Sequence, residues 1–166
     1  MLIQNPILKG FNPDPCITRV EDTYYIVVSS FEWLPGVRVY QSKDLAHWVH
    51  CTDILTDQVD LRGNPKNCSI WAPQLSYADN LFYLLYTDVK STKRPFKDVH
   101  NFVITTPTIN GPWSEPVYLN SSGFDPSLFH DEDGRKWLLN ALWDYRMLES
   151  NKSSGIVMQE YDSSQQ

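Results

Sequence analysis

The 166-residue sequence has no excess of positive charge. Its 14 lysines and arginines stand against 20 aspartates and glutamates, a formal net charge of −6. Phosphate binding needs a concentrated basic surface, and no basic run of that kind is present, so a nucleic-acid partner is disfavoured. Cysteine is scarce and odd in number. Cys16, Cys51 and Cys68 have neither the even count of a disulfide framework nor the spacing of a zinc site, and read as structural or incidental thiols. Nowhere is there an apolar run long enough for a membrane span, and the N-terminus, Met1-Leu2-Ile3-Gln4-Asn5-Pro6, has no charged leader. The expectation is a cytoplasmic protein with no membrane partner. A glycine-rich nucleotide loop and a nucleophile-elbow serine are both missing, so no cofactor is expected. Proline and β-formers interrupt every window that could hold a long helix.

Two weak metal signals reduce to simpler readings. His47 and His50 are three apart, but with Trp48 and a turn around them they read as solvated loop histidines. Asp131-Glu132-Asp133-Gly134 lacks the remaining ligands of a calcium loop and carries hairpin chemistry instead. No metal site is expected.

Aromatic residues are what the chain has in quantity: 13% of the sequence, including 6 Trp and 9 Tyr, within a hydrophobic content of 42%. That suffices for the core of one domain, and it suits stacked sheets or a carbohydrate site. The aromatics fall in a repeat. Asp14-Pro15-Cys16-Ile17, Ala72-Pro73-Gln74-Leu75 and Asp125-Pro126-Ser127-Leu128 each lead through a turn into an apolar run. Those runs are Tyr24–Val28, Leu81–Tyr86 and Trp137–Trp143. They lack strict polar alternation, which implies strands covered on both faces, as when one blade packs on the next. The first two units then continue through a strand and a turn to Trp48 and Trp113; the third stops after Gly155–Asp162. Repeats of this length, rich in short strands, predict an all-β radial array of the propeller type, with about two and a half to three blades present. An open array leaves a blade face uncovered, so self-association into a homo-oligomer is expected.

Radial symmetry points equivalent positions at one axis, so Asp14 and Asp125 are expected to face a common centre. Two carboxylates on a shared cavity are the raw material of glycoside hydrolysis. Asp14 lies between Pro13 and Pro15, which restrict its segment, and rigid placement is what a general base needs. Asp-Pro is also an ordinary turn dipeptide, but its recurrence in the third unit favours a site. Aromatics cluster at the same end of the units: Phe31 to Gly36 after the first run, Trp71 before the second repeat proline, and Trp143 closing the third run. Their faces can stack on a sugar ring or pack between blades.

Taken together, Phe11-Asn12-Pro13-Asp14-Pro15, Phe31-Glu32-Trp33-Leu34-Pro35-Gly36-Val37, Ser42-Lys43-Asp44-Leu45, Gly63-Asn64-Pro65, Ile70-Trp71-Ala72-Pro73, Tyr86-Thr87-Asp88-Val89-Lys90, Gly123-Phe124-Asp125-Pro126-Ser127-Leu128-Phe129-His130 and Trp143-Asp144 resemble glycoside hydrolase family 43, and its β-xylosidase branch in particular. The resemblance covers nearly the whole chain. It implies a five-bladed propeller of which residues 1–166 are the N-terminal part, without the remaining blades or a C-terminal β-sandwich.

The resemblance also implies an inverting β-xylosidase acting on xylo-oligosaccharides, with Asp14 as general base and Asp125 as the carboxylate that orients the general acid and raises its pKa. Phe31, Trp71, Ala72 and Trp143 match positions that line the sugar pocket. The general acid is a glutamate expected beyond the last residue, since neither Glu149 nor Glu160 stands in its motif, and the chain alone is expected to be a weak catalyst or none. An α-L-arabinofuranosidase acting on arabinosides is the near alternative within the family. A retaining fructan or sucrose hydrolase is more distant, because its Asn-Asp-Pro-Asn motif is missing. The reading from another class is a non-catalytic carbohydrate-binding propeller remnant.

Overall fold

The computed structural model describes residues 2–165, and its described residues hold three antiparallel sheets and no α-helix. The first blade is a meander of β1 (Cys16–Val20), β2 (Thr23–Val28), β3 (Val37–Ser42) and β4 (Val49–Ile54). The second is β5 (Ser69–Ala78), β6 (Leu81–Ser91), β7 (Asp98–Thr106) and β8 (Val117–Asn120). The third has β9 (Gly123–His130), β10 (Lys136–Trp143) and β11 (Ser153–Tyr161). β5 packs against both β1 and β9, so the first strands of the three blades meet on the inside. This is the radial arrangement that the repeat predicts, and the all-β partial propeller is what the chain forms.

Turn chemistry fixes the inner hairpins. Between β5 and β6, Asp79 and Asn80 both take positive φ, 52° and 60°, as a two-residue hairpin loop of the type I′ class requires. Between β9 and β10, Gly134 at φ 88° closes the loop, and its N–H donates to the Asp131 carbonyl at 3.1 Å.

β6 shows why the apolar runs need no polar alternation. Phe82, Leu84 and Tyr86 join the core shared with the first blade, which includes Val27, Val39, Ile70 and Leu75. Tyr83 and Leu85, on the opposite face, join Val103, Leu128 and Leu138 in the core shared with the third blade. Side chains alternate between faces with period 2, and both faces here are dry. Each fully buried aliphatic side chain contributes about 1.5–3 kcal/mol. β10 departs from the expectation that every such run is covered twice. Only Leu138 and Asn140 are buried along it, because among the described residues no sheet lies against its far face. On β11, Ile156 is 76% and Met158 61% exposed.

Polar contacts add to the seams between blades. The Thr18 hydroxyl donates to the Leu75 carbonyl, Ser76 hydrogen-bonds His130 at 2.9 Å, and Lys136 pairs with Asp79 at 2.6 Å. Around blades two and three runs a buried amide network: Asn101 Nδ2 donates to the Asn120 side chain at 2.9 Å and to the Gly123 carbonyl at 3.1 Å, and Asn120 donates to Asn140 at 3.2 Å.

Candidate active site

Each inner strand carries one irregularity, at the repeat proline. In the second blade Trp71 pairs with Thr87 and Gln74 with Leu85, so Ala72 and Pro73 together oppose Tyr86. In the third, Phe124 pairs with Ala141 and Ser127 with Leu139, so Asp125 and Pro126 together oppose Asn140. In the first, Cys16 pairs with Val27 and the Ser29 N–H donates to the Pro13 carbonyl at 3.0 Å, so Asp14 and Pro15 oppose Val28. Each is a bulge with two residues set against one, which bends the strand and re-aims a side chain. A bulge also tolerates proline, which has no N–H to give the ladder.

The residue before each proline is left-handed: φ is 51° at Asp14, 33° at Ala72 and 55° at Asp125. Positive φ is uncommon outside glycine, and a following proline disfavours helical backbone on either hand, so the same strain recurs three times at one place in the fold. Asp14 and Asp125 are both exposed.

Asp14 accepts a hydrogen bond from the Ser29 hydroxyl at 2.6 Å, and that hydroxyl accepts the Ala72 N–H at 2.8 Å. Asp125 has no such side-chain donor. Its N–H donates to the Thr87 hydroxyl at 3.1 Å, and Thr87 donates in turn to Asn101 at 2.8 Å. The carboxyl of Asp125 is raised above the usual aspartate range, first because the protein packed behind it thins its hydration, and next because Asp14 is negative; the Lys97 charge opposes both. The charge of Asp14 is thus felt at Asp125.

An arc of ring contacts includes Trp71 and Phe124, the residues directly before Ala72 and Asp125. Phe11 lies 6.0 Å from Phe31, Phe31 6.4 Å from Trp71, Trp71 5.8 Å from Phe124, and Phe124 6.2 Å from Trp143, measured between ring centres. The predicted lining residues Phe31, Trp71 and Trp143 are therefore parts of one wall. Phe31 is fixed by paired backbone hydrogen bonds with Ile70 across the blade gap. Trp71 donates its indole N–H to the Asn67 carbonyl at 2.9 Å, and Trp143 donates to Pro95 at 3.1 Å. Trp33 stands outside the arc, 68% exposed.

Lys97 reaches into the same wall. Its Nζ sits 4.0 Å from the Phe124 ring centre, 4.3 Å from that of Trp143 and 5.1 Å from that of Trp71, within cation–π range of all three. Partial burial pulls its ammonium below the usual lysine range, with Asp125 opposing that drop and Arg94 adding to it. Lys97, Ser29, Thr87 and Phe124 were not expected as site residues. A signal existed for two of them: Ser29 and Thr87 both end the apolar run of their unit with a hydroxyl.

The histidines stay apart, His47 paired with Asp44 and His50 with Asp53. Among the described residues no cluster of three or more histidine, cysteine or acidic side chains is placed to hold a metal. Cys16, Cys51 and Cys68 are unpaired thiols. Glu160 pairs with Trp137, at the opposite end of β10 from Trp143, and Glu149 lies exposed in the connection from β10 to β11.

The chain is similar to known proteins in sequence and in backbone. The family profile of glycosyl hydrolases family 43 matches residues 3–166. A beta-xylosidase of Bacillus subtilis (strain 168) is 55% identical over 168 residues, which is all of this chain and 31% of that protein. Xylosidase/arabinosidase 43B of Humicola insolens is also 55% identical, over 96% of this chain and 30% of its own. The crystal structure of xylan beta-1,4-xylosidase from Bacillus halodurans C-125 superimposes with a TM-score of 0.95 at 57% identity, covering 99% of this chain and 32% of that one. The chain thus spans less than a third of the length of these relatives. The match in sequence and in backbone, along its whole length, makes this chain a member of glycosyl hydrolases family 43.

Proposed function

We propose that this chain is the N-terminal part of an inverting glycoside hydrolase that releases xylose from the non-reducing ends of xylo-oligosaccharides. The observation that carries the proposal is the pair Asp14 and Asp125, each at the same left-handed bulge ahead of a proline, with the ring of Phe124 next to Asp125 in a series of contacts from Phe31 to Trp143. Names of the two 55% identical relatives agree with it.

In this reading the arc stacks against the sugar and excludes water from its flank. Asp14, as carboxylate, takes the proton of a water held on the face of the anomeric carbon opposite the leaving group. Its free oxygen does this, since Oδ2 already accepts the Ser29 hydroxyl. Asp125 orients a general acid contributed from elsewhere in the full-length protein, and its own charge raises that acid's pKa. General acid catalysis contributes about 10²–10⁴-fold, so the 166-residue chain by itself falls below useful turnover.

The arabinofuranosidase reading is kept because one of those relatives carries both activities in its name. The deciding experiment compares the full-length protein with the 166-residue chain on p-nitrophenyl β-D-xyloside and p-nitrophenyl α-L-arabinofuranoside, with product anomer followed by proton NMR. Xylose released first as the α-anomer by the full-length protein supports the proposal. Release as the β-anomer, or activity on neither glycoside, overturns it, and a strong preference for the arabinoside selects the alternative.

A further inference from the structure

The hydroxyl of Ser29, one residue past the end of β2, binds two blades at once, at the lead-in to β1 and on β5. It accepts the backbone N–H of Ala72 in the next blade at 2.8 Å and donates to Asp14 Oδ2 in its own blade at 2.6 Å. The direction of this relay is fixed by chemistry. A backbone N–H only donates, so it occupies an oxygen lone pair of Ser29 and leaves the hydroxyl hydrogen directed at the carboxylate. Hydrogen bonds to an ionised acceptor are roughly twice as strong as neutral ones and geometrically tighter.

The second blade repeats the construction. Thr87 pairs with Trp71 as Ser29 faces Pro13, and its hydroxyl accepts the N–H of Asp125 in the third blade at 3.1 Å. Its hydrogen goes to the buried amide oxygen of Asn101 instead of a carboxylate. One device therefore ties the first blade to Ala72 of the second and the second to Asp125 of the third. Of the two hydroxyls, that of Ser29 donates to a carboxylate. Asp14 stands on a left-handed backbone, exposed to solvent.

We propose that Ser29 is a positioning residue for Asp14. It holds the carboxylate rotamer so that Oδ1, the oxygen left free, is presented to the attacking water, and it couples that rotamer to the docking of the second blade through Ala72. The inference rests on the reading of Asp14 as general base.

The test is a double-mutant cycle in the full-length protein, assayed on p-nitrophenyl β-D-xyloside, with Ser29→Ala, Ser29→Thr, Asp14→Ala and the double variant Ser29→Ala/Asp14→Ala. Misplacing a reacting group by an ångström costs on the order of 100-fold. The expected result is a kcat loss for Ser29→Ala of about 10- to 100-fold with KM nearly unchanged, recovery in Ser29→Thr, and no further loss from Ser29→Ala once Asp14 is alanine. Three results overturn the positioning role. One is full kcat in Ser29→Ala, another is an equal loss in the presence and absence of Asp14, and the third is a loss confined to KM. If Asp14→Ala itself retains full activity, the reading of the site fails instead, and the two failures are told apart by that single variant. Thermal midpoints of all four proteins separate loss of folding from loss of positioning, because Ser29→Thr retains the relay and the fold together.

Discussion

Asp14 and Asp125 occupy the same backbone state, φ 51° and 55°, each directly ahead of a proline and each inside a two-against-one bulge of an inner strand. Their likeness is one of position, and their environments set them apart. Asp14 has a hydroxyl donor, whereas Asp125 has a positive neighbour, a negative neighbour and restricted hydration.

The titration of Asp125 is expected to move in opposite directions when its two charged neighbours are removed. Asp14→Asn eliminates a negative charge and lowers the Asp125 pKa towards its ordinary value of 3.8. Lys97→Met eliminates the opposing positive charge and raises it further. Carboxyl carbon NMR across a pH series measures both, and two shifts of the same sign refute the arrangement.

Asp125 also costs stability at neutral pH. With its folded pKa raised, the folded chain holds more protons than the unfolded one at pH values between 3.8 and the raised pKa. Stability therefore falls as pH rises through that window, and the loss is complete above it. Asp125→Asn is expected to raise the thermal midpoint at neutral pH and to give no gain below pH 3.8. A gain of the same size at both pH values contradicts this linkage.

Gly123 precedes Phe124 and Asp125 at a point where β9 and β10 touch. A Cβ there would stand 1.7 Å from the Ala141 carbonyl oxygen and 2.8 Å from its carbon. Backbone has to move to admit it, so Gly123→Ala is expected to destabilise by about 1–3 kcal/mol or more. The midpoint of urea unfolding measures the cost. An unchanged midpoint shows that the strands separate without penalty.

Thr87→Val keeps the shape of the side chain and deletes its hydroxyl. The Asp125 N–H and the Asn101 amide oxygen both lose a partner, and a buried group left unpaired costs about 1–3 kcal/mol. Hydrogen exchange at the Asp125 amide is expected to accelerate in the variant. Unchanged exchange there rules out the bond.

The strands were legible because their residues are apolar in runs, and the likeness of Asp14 to Asp125 was legible because Asp-Pro recurs. The bulges were not, since proline marks a gap in a ladder without saying which residue opposes it. Lys97 was hidden by its surroundings: among Lys90, Lys93 and Arg94 it reads as one more solvated charge, and only the fold brings it against three rings from two different blades. The place of Phe124 between Trp71 and Trp143 depends on the packing of the third blade against the second. Ser29 follows the last residue of β2, and a sequence does not show that its hydroxyl meets Asp14 and Ala72. Double coverage of the apolar runs held for β6 and not for β10, because a run of letters does not report how many neighbours a sheet has.

The amide network of Asn101, Asn120 and Asn140 gives the junction between the second and third blades an identity. A purely aliphatic junction accepts any sheet of suitable shape, and repeated blades are alike enough to be exchanged. Here a wrong neighbour would bury amides with nothing to bond, at about 1–3 kcal/mol for each group, and the correct one satisfies them together. The junction thus asks more of its partner than shape: the third blade has to present Asn140 and the Gly123 carbonyl where the amides of Asn120 and Asn101 donate.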